Sequence, residues 1–369
     1  MKNVLIFFGG VSCEHDVSVI TGVLTLNALK CEKYNPIPIY IDENGRWFSG
    51  DALRDISFYK NFDLKKVKSV VLLPKDRCLY EKKKNGLKKI AEVSVALNCL
   101  HGLNGEDGSL AGFLTLCDIP FASPHLFASS VSMDKYYTKL LLSGLGVNSL
   151  PYVRVCRENF YKNKRIACQF VEKRSTYPVI VKPANLGSSI GIKVVKSGEE
   201  LMSALENAFK YDGKVIVEKA LEKFREINCA CYKSGDKYIV SECEEPTLNG
   251  DMLTFDDKYL SAGTKRFPAD LDKATETIIK DTVKKVYRKL DFNGVVRMDF
   301  LLSDGEVYLN EINSVPGSLA YYLFCDGTDK ISQFLSTIIE DGIDEYLRYK
   351  SNEFVYRGGV LNGLGKLKR

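Results

Sequence analysis

The sequence predicts an α/β protein of about three compact lobes, on three observations. The chain opens with "NVLIFFGG", a short apolar run ending in two glycines, followed by apolar residues at helical spacing. The same strand, loop and helix grammar returns with "VSVALNCL" and "HGLNGEDGS". Near the C-terminus, "VVRMDFLLSDGEVYLNEIN" alternates like a β-hairpin. A chain of 369 residues, 45% hydrophobic and 27% charged, has the length and composition for two or three globular domains.

The first strand is followed, after "EHDVS", by Ile20, Val23, Leu24, Ala28 and Leu29 at helical spacing, which predicts that these side chains face inward. The intervening loop then sits at a strand's carboxyl end, where open α/β sheets bind ligands. "SMDKYYTKLLLSGLG" reads as a helix capped by Ser132 and stopped by glycines. "YPVIVKPA" and "KVIVEKAL" are β-rich runs on either side of a Gly-Ser loop. In "DLDKATETIIKDTVKKVYRKL", the residues Ile278, Ile279, Val283, Val286 and Leu290 are placed on one helical face. The tail "YRGGVLNGLGKLKR" is glycine-rich and basic and reads as a loose terminus. The lobes are expected over 1–120, 121–220 and 221–348, with 349–369 as the tail.

A net charge of +5 over the whole chain is too mild to predict a nucleic-acid or membrane partner. Five apolar residues before Gly9-Gly10 are short for a signal-peptide core, and no run approaches the roughly 20 of a membrane span. Eleven cysteines without a CxxC pair read as reduced thiols, so the expected location is the cytoplasm. "CAC" puts Cys229 and Cys231 on one strand face, a weak metal signal.

Period-two alternation puts Arg297 with Asp299, and Glu311 with Asn313, on single strand faces. A three-residue turn centred on Gly305 sets Asp299 opposite Glu311 and Arg297 opposite Asn313. A two-residue turn shifts the register by one and separates them. Facing carboxylates repel, and a cation between them relieves this. Two carboxylates and an amide oxygen are hard ligands that suit Mg²⁺, for which Mn²⁺ can substitute. "VKPANLGSSIGI" offers backbone N–H groups near Gly187 and Gly191, with the Ser188 and Ser189 hydroxyls, to a phosphate. The Walker ending GKS/T is absent. "VIVEKALEKFREI" ends a strand at Glu218 and Lys219, where an edge can read an adenine and a ribose.

Together "FFGGVSCEHDVS", "HGLNGEDGSLAGF", "SMDKYYTK", "PVIVKPANLGSSIGI", "VIVEKAL", "DDKYLSAGTKRFPA", "RMDF" and "NEINSVPG" resemble the D-alanine–D-alanine ligase family, in family order and up to about residue 348. The resemblance implies an ATP-grasp fold, with a Rossmann-like N-terminal lobe and two further α+β lobes enclosing ATP. It implies a cytoplasmic, homodimeric enzyme of peptidoglycan synthesis that phosphorylates one D-amino acid and lets a second attack the acyl phosphate. Lys135, Lys182 and Lys258 match the lysines on the ATP phosphates. Glu218, Lys219, Leu221 and Glu226 match the adenine and ribose contacts, and Asp299, Glu311 and Asn313 the Mg²⁺ ligands. Arg297 and the Gly317 backbone match the oxyanion donors, Glu14 the acid that holds the donor's ammonium, Ser188 and Tyr259 its partners, and His101 a histidine near the donor.

The departures lie on the acceptor side. "SLAYYLFC" puts Tyr322, followed by Leu323, where the family carries a serine that binds the acceptor. "DMLTFDDKY" lacks the usual tyrosine-rich lead, and Ala111 replaces a glutamine. Besides D-alanine, these changes leave D-serine, D-lactate or a larger amine open as acceptor. A non-catalytic nucleotide or D-alanine sensor is the alternative of another class, and the full phosphoryl-transfer set argues against it. "GGVSCE" is not GxGxxG, so a dinucleotide-binding dehydrogenase has little support.

Overall fold

The computed structural model describes residues 1–29, 32–246, 265–356 and 358–359. Lys258, Tyr259, the segment "DMLTFDDKY" and most of the tail lie outside these residues. In the first lobe β1 (Lys2–Gly9), β2 (Tyr34–Ile41), β3 (Trp47–Ser49), β4 (Lys68–Leu73), β5 (Asp76–Lys83), β6 (Gly86–Glu92) and β7 (Val95–Asn98) form one sheet, ordered β6-β5-β4-β3-β2-β1-β7. β1 runs parallel to β2 and β7, and the remaining pairs are antiparallel. Val4 to Phe8 are fully buried, as a strand covered on both faces requires.

The helix His15–Ala28 covers β1 and buries Val23, with Leu29 buried just past its end, but Ile20 departs from the face expected. Ile20 is 50% exposed, and Ser18, Thr21, Gly22 and Thr25 are buried instead. The helix lies so close to the sheet that a Cβ on Gly22 would meet the Phe8 ring at 2.3 Å. Small residues therefore take the inner face and the larger Ile20 is turned out.

Ser132 is not the cap of the next long helix. It belongs to the preceding helix Leu126–Met133, and Lys135–Gly144 starts afresh with Asp134, whose side chain accepts from the Tyr136 and Tyr137 N–H groups. Aspartate is as good a cap as serine, and only the chain path decides between them.

The second lobe is an antiparallel sheet of β8 (Tyr152–Cys156), β9 (Val179–Pro183), β10 (Lys193–Val195) and β11 (Lys214–Lys219), ordered β10-β9-β11-β8. The helices Lys164–Glu172 and Gly198–Ala208 bury Val171, Leu201 and Leu205 against it. In the third lobe come β12 (Arg225–Ser234), β13 (Lys237–Val240), β14 (Glu245–Pro246), β15 (Lys265–Arg266), β16 (Val295–Ser303) and β17 (Glu306–Asn313). The four long strands are ordered β13-β12-β16-β17, and β14 pairs with β15 as a short ribbon. Cys229 and Cys231 are both packed in this lobe's core, and all ten described cysteines are free.

The helix Lys273–Lys289 buries Ile279, Val283, Val286 and Tyr287, with Leu290 just beyond its end. Ile278 is 51% exposed, a correction to the expected face. It precedes Ile279 by about 100° of helical rotation, and Tyr287 fills the space on the other side of the stripe. The last helix, Ile331–Lys350, packs Phe334, Leu335 and Ile338 into one core with Val4, Phe8 and Leu26 of the first lobe. No helix among the described residues is long and apolar enough to cross a membrane.

Candidate active site

The hairpin β16–β17 reaches the expected pairing by an unexpected route. Its turn has two residues, because Ser303 pairs with Glu306. That register alone would separate the carboxylates. A bulge between Asp299 and Phe300 inserts Asn310 into β17 and restores the offset, so Asp299 faces Glu311 and Arg297 faces Asn313. Bulges re-aim side chains at functional sites, and here Asn310 accepts from Lys182 Nζ at 3.2 Å.

Asp299 is 2% exposed. It accepts from Arg297 Nε at 2.7 Å and Nη2 at 2.8 Å, and from Asn313 Nδ2 at 2.9 Å. Glu311 pairs with Lys135 Nζ at 3.1 Å. Among the described residues no three His, Cys, Asp or Glu side chains cluster as a metal site. Two carboxylates and one amide oxygen nevertheless fit Mg²⁺ completed by phosphate and water oxygens, the usual state of that ion.

A cleft opens between the second and third lobes. Its walls bring together Lys135, Lys182, Gly187, Ser189, Lys219, Leu221, Glu226, Asp299, Asn310 and Glu311 with the apolar Ile180, Phe224 and Leu301. An apolar slot with cations at one end suits a nucleotide. Lys135 also donates to the Leu186 carbonyl at 2.7 Å, which ties the Gly-Ser loop to Glu311. The loop's left-handed residues are Ser188 (φ 54°), Ser189 (φ 60°) and Gly191 (φ 72°). Gly187 serves by size, since a Cβ there would come within 3.0 Å of Glu14 Oε1.

Glu218 does not line the cleft through its carboxylate. The group is 1% exposed and lies between Lys139 Nζ at 2.9 Å and Lys182 Nζ at 2.7 Å. Burial alone would raise its carboxyl, but the two ammonium groups outweigh burial and hold it down at about 2. It acts on the cleft by fixing Lys182.

A second, more polar cavity adjoins the first and shares Gly187 and Glu311 with it. Its lining includes Glu14, Glu106, Ser188, Arg297 and Asn313. Ser188 Oγ donates to Glu14, a residue 5% exposed. The loops after β1 and β7 meet here, so closely that a Cβ on Gly102 (φ 70°) would lie 2.8 Å from Glu14 Oε2. Glu106 accepts from the Gly102 N–H at 2.9 Å and from the Val315 N–H at 3.1 Å.

Burial, and then the neighbouring Glu14 carboxylate, push Glu106 up to about 8 from the ordinary 4.5. The folded chain therefore holds a proton that the unfolded chain has already lost between those values. Stability contributed at this position falls as pH rises from about 4.5 to about 8, and is level above that. Glu106→Gln is expected to flatten this slope. Urea midpoints at pH 5 and pH 8 check it, and an unchanged slope would assign the titration elsewhere.

The stretch after Pro316 turns through Ser318, Leu319 and Ala320, all left-handed with φ near 50°. This turn sends Leu323 into the core shared by the first lobe and the last helix, 3% exposed and away from both cavities. Any contact of Leu323 with the acceptor therefore falls to its backbone, since its side chain is in the core. Tyr322 instead points its hydroxyl to Arg297 Nη1 at 3.3 Å, with Lys265 Nζ 4.6 Å from its ring centroid. Gly317 begins the turn, and the next N–H, of Ser318, donates to Thr21 Oγ1.

Thr21 Oγ1 also lies 2.9 Å from His101 Nε2. His101 is 4% exposed, lines neither cavity, and is lowered to about 4 by burial, so it braces the turn as a neutral imidazole. Ala111 is likewise buried in the first lobe's core.

Glu106, Asn310 and Lys139 were not singled out from sequence. Lys139 follows Lys135 by four residues on one helix, so a helical-face argument would have found it. Glu106 sits inside the turn-rich "HGLNGEDGS", but Asn310 reaches the cleft only through the bulge.

Two α+β lobes meeting at a lysine-lined cleft, with a Rossmann-like lobe beside them, define an ATP-grasp enzyme. Residues 3–124 match the family model described as D-ala D-ala ligase N-terminus, and residues 141–343 the model described as D-ala D-ala ligase C-terminus. A D-alanine–D-alanine ligase from Thermosipho melanesiensis is 37% identical over 367 residues, covering 96% of each chain. The crystal structure of a D-alanine–D-alanine ligase from Helicobacter pylori aligns with a TM-score of 0.76 at 32% identity, over 92% of this chain and 98% of that one. The VanG D-Ala:D-Ser ligase from Enterococcus faecalis aligns with a TM-score of 0.76 at 28% identity, over 94% and 99%. The chain belongs to the D-alanine–D-alanine ligase family, whose members are ATP-dependent ligases.

Proposed function

We propose that this protein joins two molecules of D-alanine into D-alanyl-D-alanine through an acyl phosphate made from ATP. The observation that carries the proposal is the shared wall: Glu311 and Gly187 line both the nucleotide cleft and the polar cavity. A carboxylate in the second cavity is thereby presented to a phosphate in the first. The names of the curated relatives favour D-alanine as acceptor over D-serine, D-lactate or a larger amine.

In this reading Leu221, Lys219 and Glu226 hold the adenosine, and Lys135 and Lys182 neutralise the phosphates. Asp299, Glu311 and Asn313 would hold Mg²⁺, which supplies charge neutralisation between ATP oxygens when bound. Glu14, held by Ser188, takes the donor's ammonium. Arg297, with the Gly317 backbone, stabilises the oxyanion that forms when the acceptor amine attacks. Lys258 and Tyr259, outside the described residues, take the roles of γ-phosphate lysine and Glu14–Ser188 partner that the family resemblance implies. The protein works as a cytoplasmic homodimer and supplies cell-wall synthesis.

Tyr322 takes the part of the acceptor-binding serine, its hydroxyl held beside Arg297. Tyr322→Phe keeps the ring on Lys265 but removes the O–H. A hydrogen bond to a charged group contributes about 1.5–3 kcal/mol, so KM for the acceptor should rise about tenfold or more. KM for ATP and for the donor should hold. Unchanged acceptor KM would show that Tyr322 does not face the acceptor.

The testing experiment is purified protein with Mg-ATP and D-alanine, alone and with candidate acceptors, and products read by mass spectrometry. D-alanyl-D-alanine is the expected product. ADP without that dipeptide, together with a condensation product from another acceptor, would overturn the proposal.

A further inference from the structure

The net charge of +5 hides a strong local asymmetry. Residues 60–92 carry eleven lysines and arginines against four aspartates and glutamates, a net +7, so the rest of the chain is slightly acidic. The structure folds this stretch into β4, β5 and β6 and the turns before them, with β6 as the sheet's outermost strand.

Lys82 to Ile90 are exposed without interruption. Lys82, Lys84, Lys88 and Lys89 form no ion pair among the described residues. Of the hairpin's three acids, Glu81 is engaged by Lys83 and Asp76 by the Tyr80 hydroxyl, and Glu92 stands exposed at the last residue of β6. Leu87 is 48% and Ile90 38% exposed among these lysines. Ile90 also lines one groove with Lys66 and Lys68.

Lysines on an edge strand commonly guard it against pairing with other chains. That explains Lys88 and Lys89. It does not explain lysines continuing through the turn at Lys84 onto β5 and β4, and exposed Leu87 and Ile90 on the edge work against such a guard. Basic side chains around a few exposed aliphatic ones suit an anionic bilayer, where the ammonium groups meet headgroup phosphates and the aliphatic ones enter the interface. A nucleic-acid surface would offer exposed aromatic rings for stacking, and the only aromatic on the hairpin, Tyr80, is bonded to Asp76.

We propose that the β5–β6 hairpin, with Lys66 and Lys68 beside it, is a peripheral docking surface for an anionic lipid bilayer. This revises the expectation, drawn from whole-chain charge, that no membrane surface is a partner, and it needs no spanning helix. β6 and β7 lie at opposite ends of the sheet, so docking leaves the loop after β7 and the cavity it lines open.

The test is co-sedimentation of the full chain with vesicles of phosphatidylcholine alone and with about a third phosphatidylglycerol. Binding should be at least about tenfold stronger to the anionic vesicles and be lost near 0.5 M salt, where the screening length shrinks to a few ångströms. The variant Lys82→Gln/Lys84→Gln/Lys88→Gln/Lys89→Gln should lose most of that binding and keep its turnover in solution. Leu87→Ser/Ile90→Ser should weaken binding while keeping its salt dependence. Absent binding, equal binding to neutral vesicles, or undiminished binding by the lysine variant would overturn the proposal. Binding to a single-stranded RNA oligomer without vesicle binding would do so too, and would assign the surface to nucleic acid.

Discussion

Glu311→Gln is expected to lower ATP-dependent turnover by at least about a thousandfold while leaving the fold intact. The side chain is half-buried on β17, opposite Asp299 and beside Lys135 at 3.1 Å. Glutamine keeps its size and removes the charge that a divalent cation and the Lys135 ammonium both require. Loss of a metal's charge stabilisation costs several kcal/mol of barrier, and about 4 kcal/mol is a thousandfold. Because Glu311 lines both cavities, the loss should fall on chemistry as well as on nucleotide binding. The checks are ADP release in the presence of D-alanine and the thermal shift produced by Mg-ATP. ADP release near the wild-type rate would sink the metal assignment.

Glu218→Ala is expected to cost about 3–5 kcal/mol of stability, because it leaves two buried ammonium groups without their shared counter-ion. Lys139 and Glu218 are each 1% exposed and Lys182 is 7% exposed, so solvent cannot take over the pairing. The carboxyl lies at about 2 in the folded chain, against an ordinary 4.5. The folded chain therefore binds this proton more weakly than the unfolded one. The contribution is fully present above about pH 4.5 and is lost as pH falls toward 2. Urea unfolding at pH 7 measures the cost, and the same series at pH 3 should show a smaller difference between variant and wild type. A cost below about 1 kcal/mol at pH 7 would mean that the triad contributes no net stability. Lys182 also loses its anchor, so KM for ATP should rise in the same variant.

Much of the site was legible because its chemistry is local in sequence. The two carboxylates on β16 and β17, the lysine leaving β9 and the Gly-Ser loop after it each declare themselves within a dozen residues. The errors came where a neighbouring element decided. Ile20 faces outward because the helix sits close on Phe8, and Asp134 caps where Ser132 was expected. The pairing of Asp299 with Glu311 was anticipated, yet a two-residue turn and a bulge at Asn310 produce it together. Alternation by itself cannot distinguish that combination from a three-residue turn, since both restore the same offset.

By itself, the sequence determined the α/β class, the Gly-Ser loop after a lysine-bearing strand and the facing carboxylates of one hairpin, because period-two and helical spacing dictate which side chains share a face. Only the tertiary structure decided that Glu106 joins Glu14 across two loops and that Glu218 turns inward between lysines. It alone sent Leu323 into the core while Tyr322 met Arg297. Those outcomes depend on how closely separate elements approach and on three consecutive left-handed residues after Gly317. Neither is written in the spacing of residues along one element.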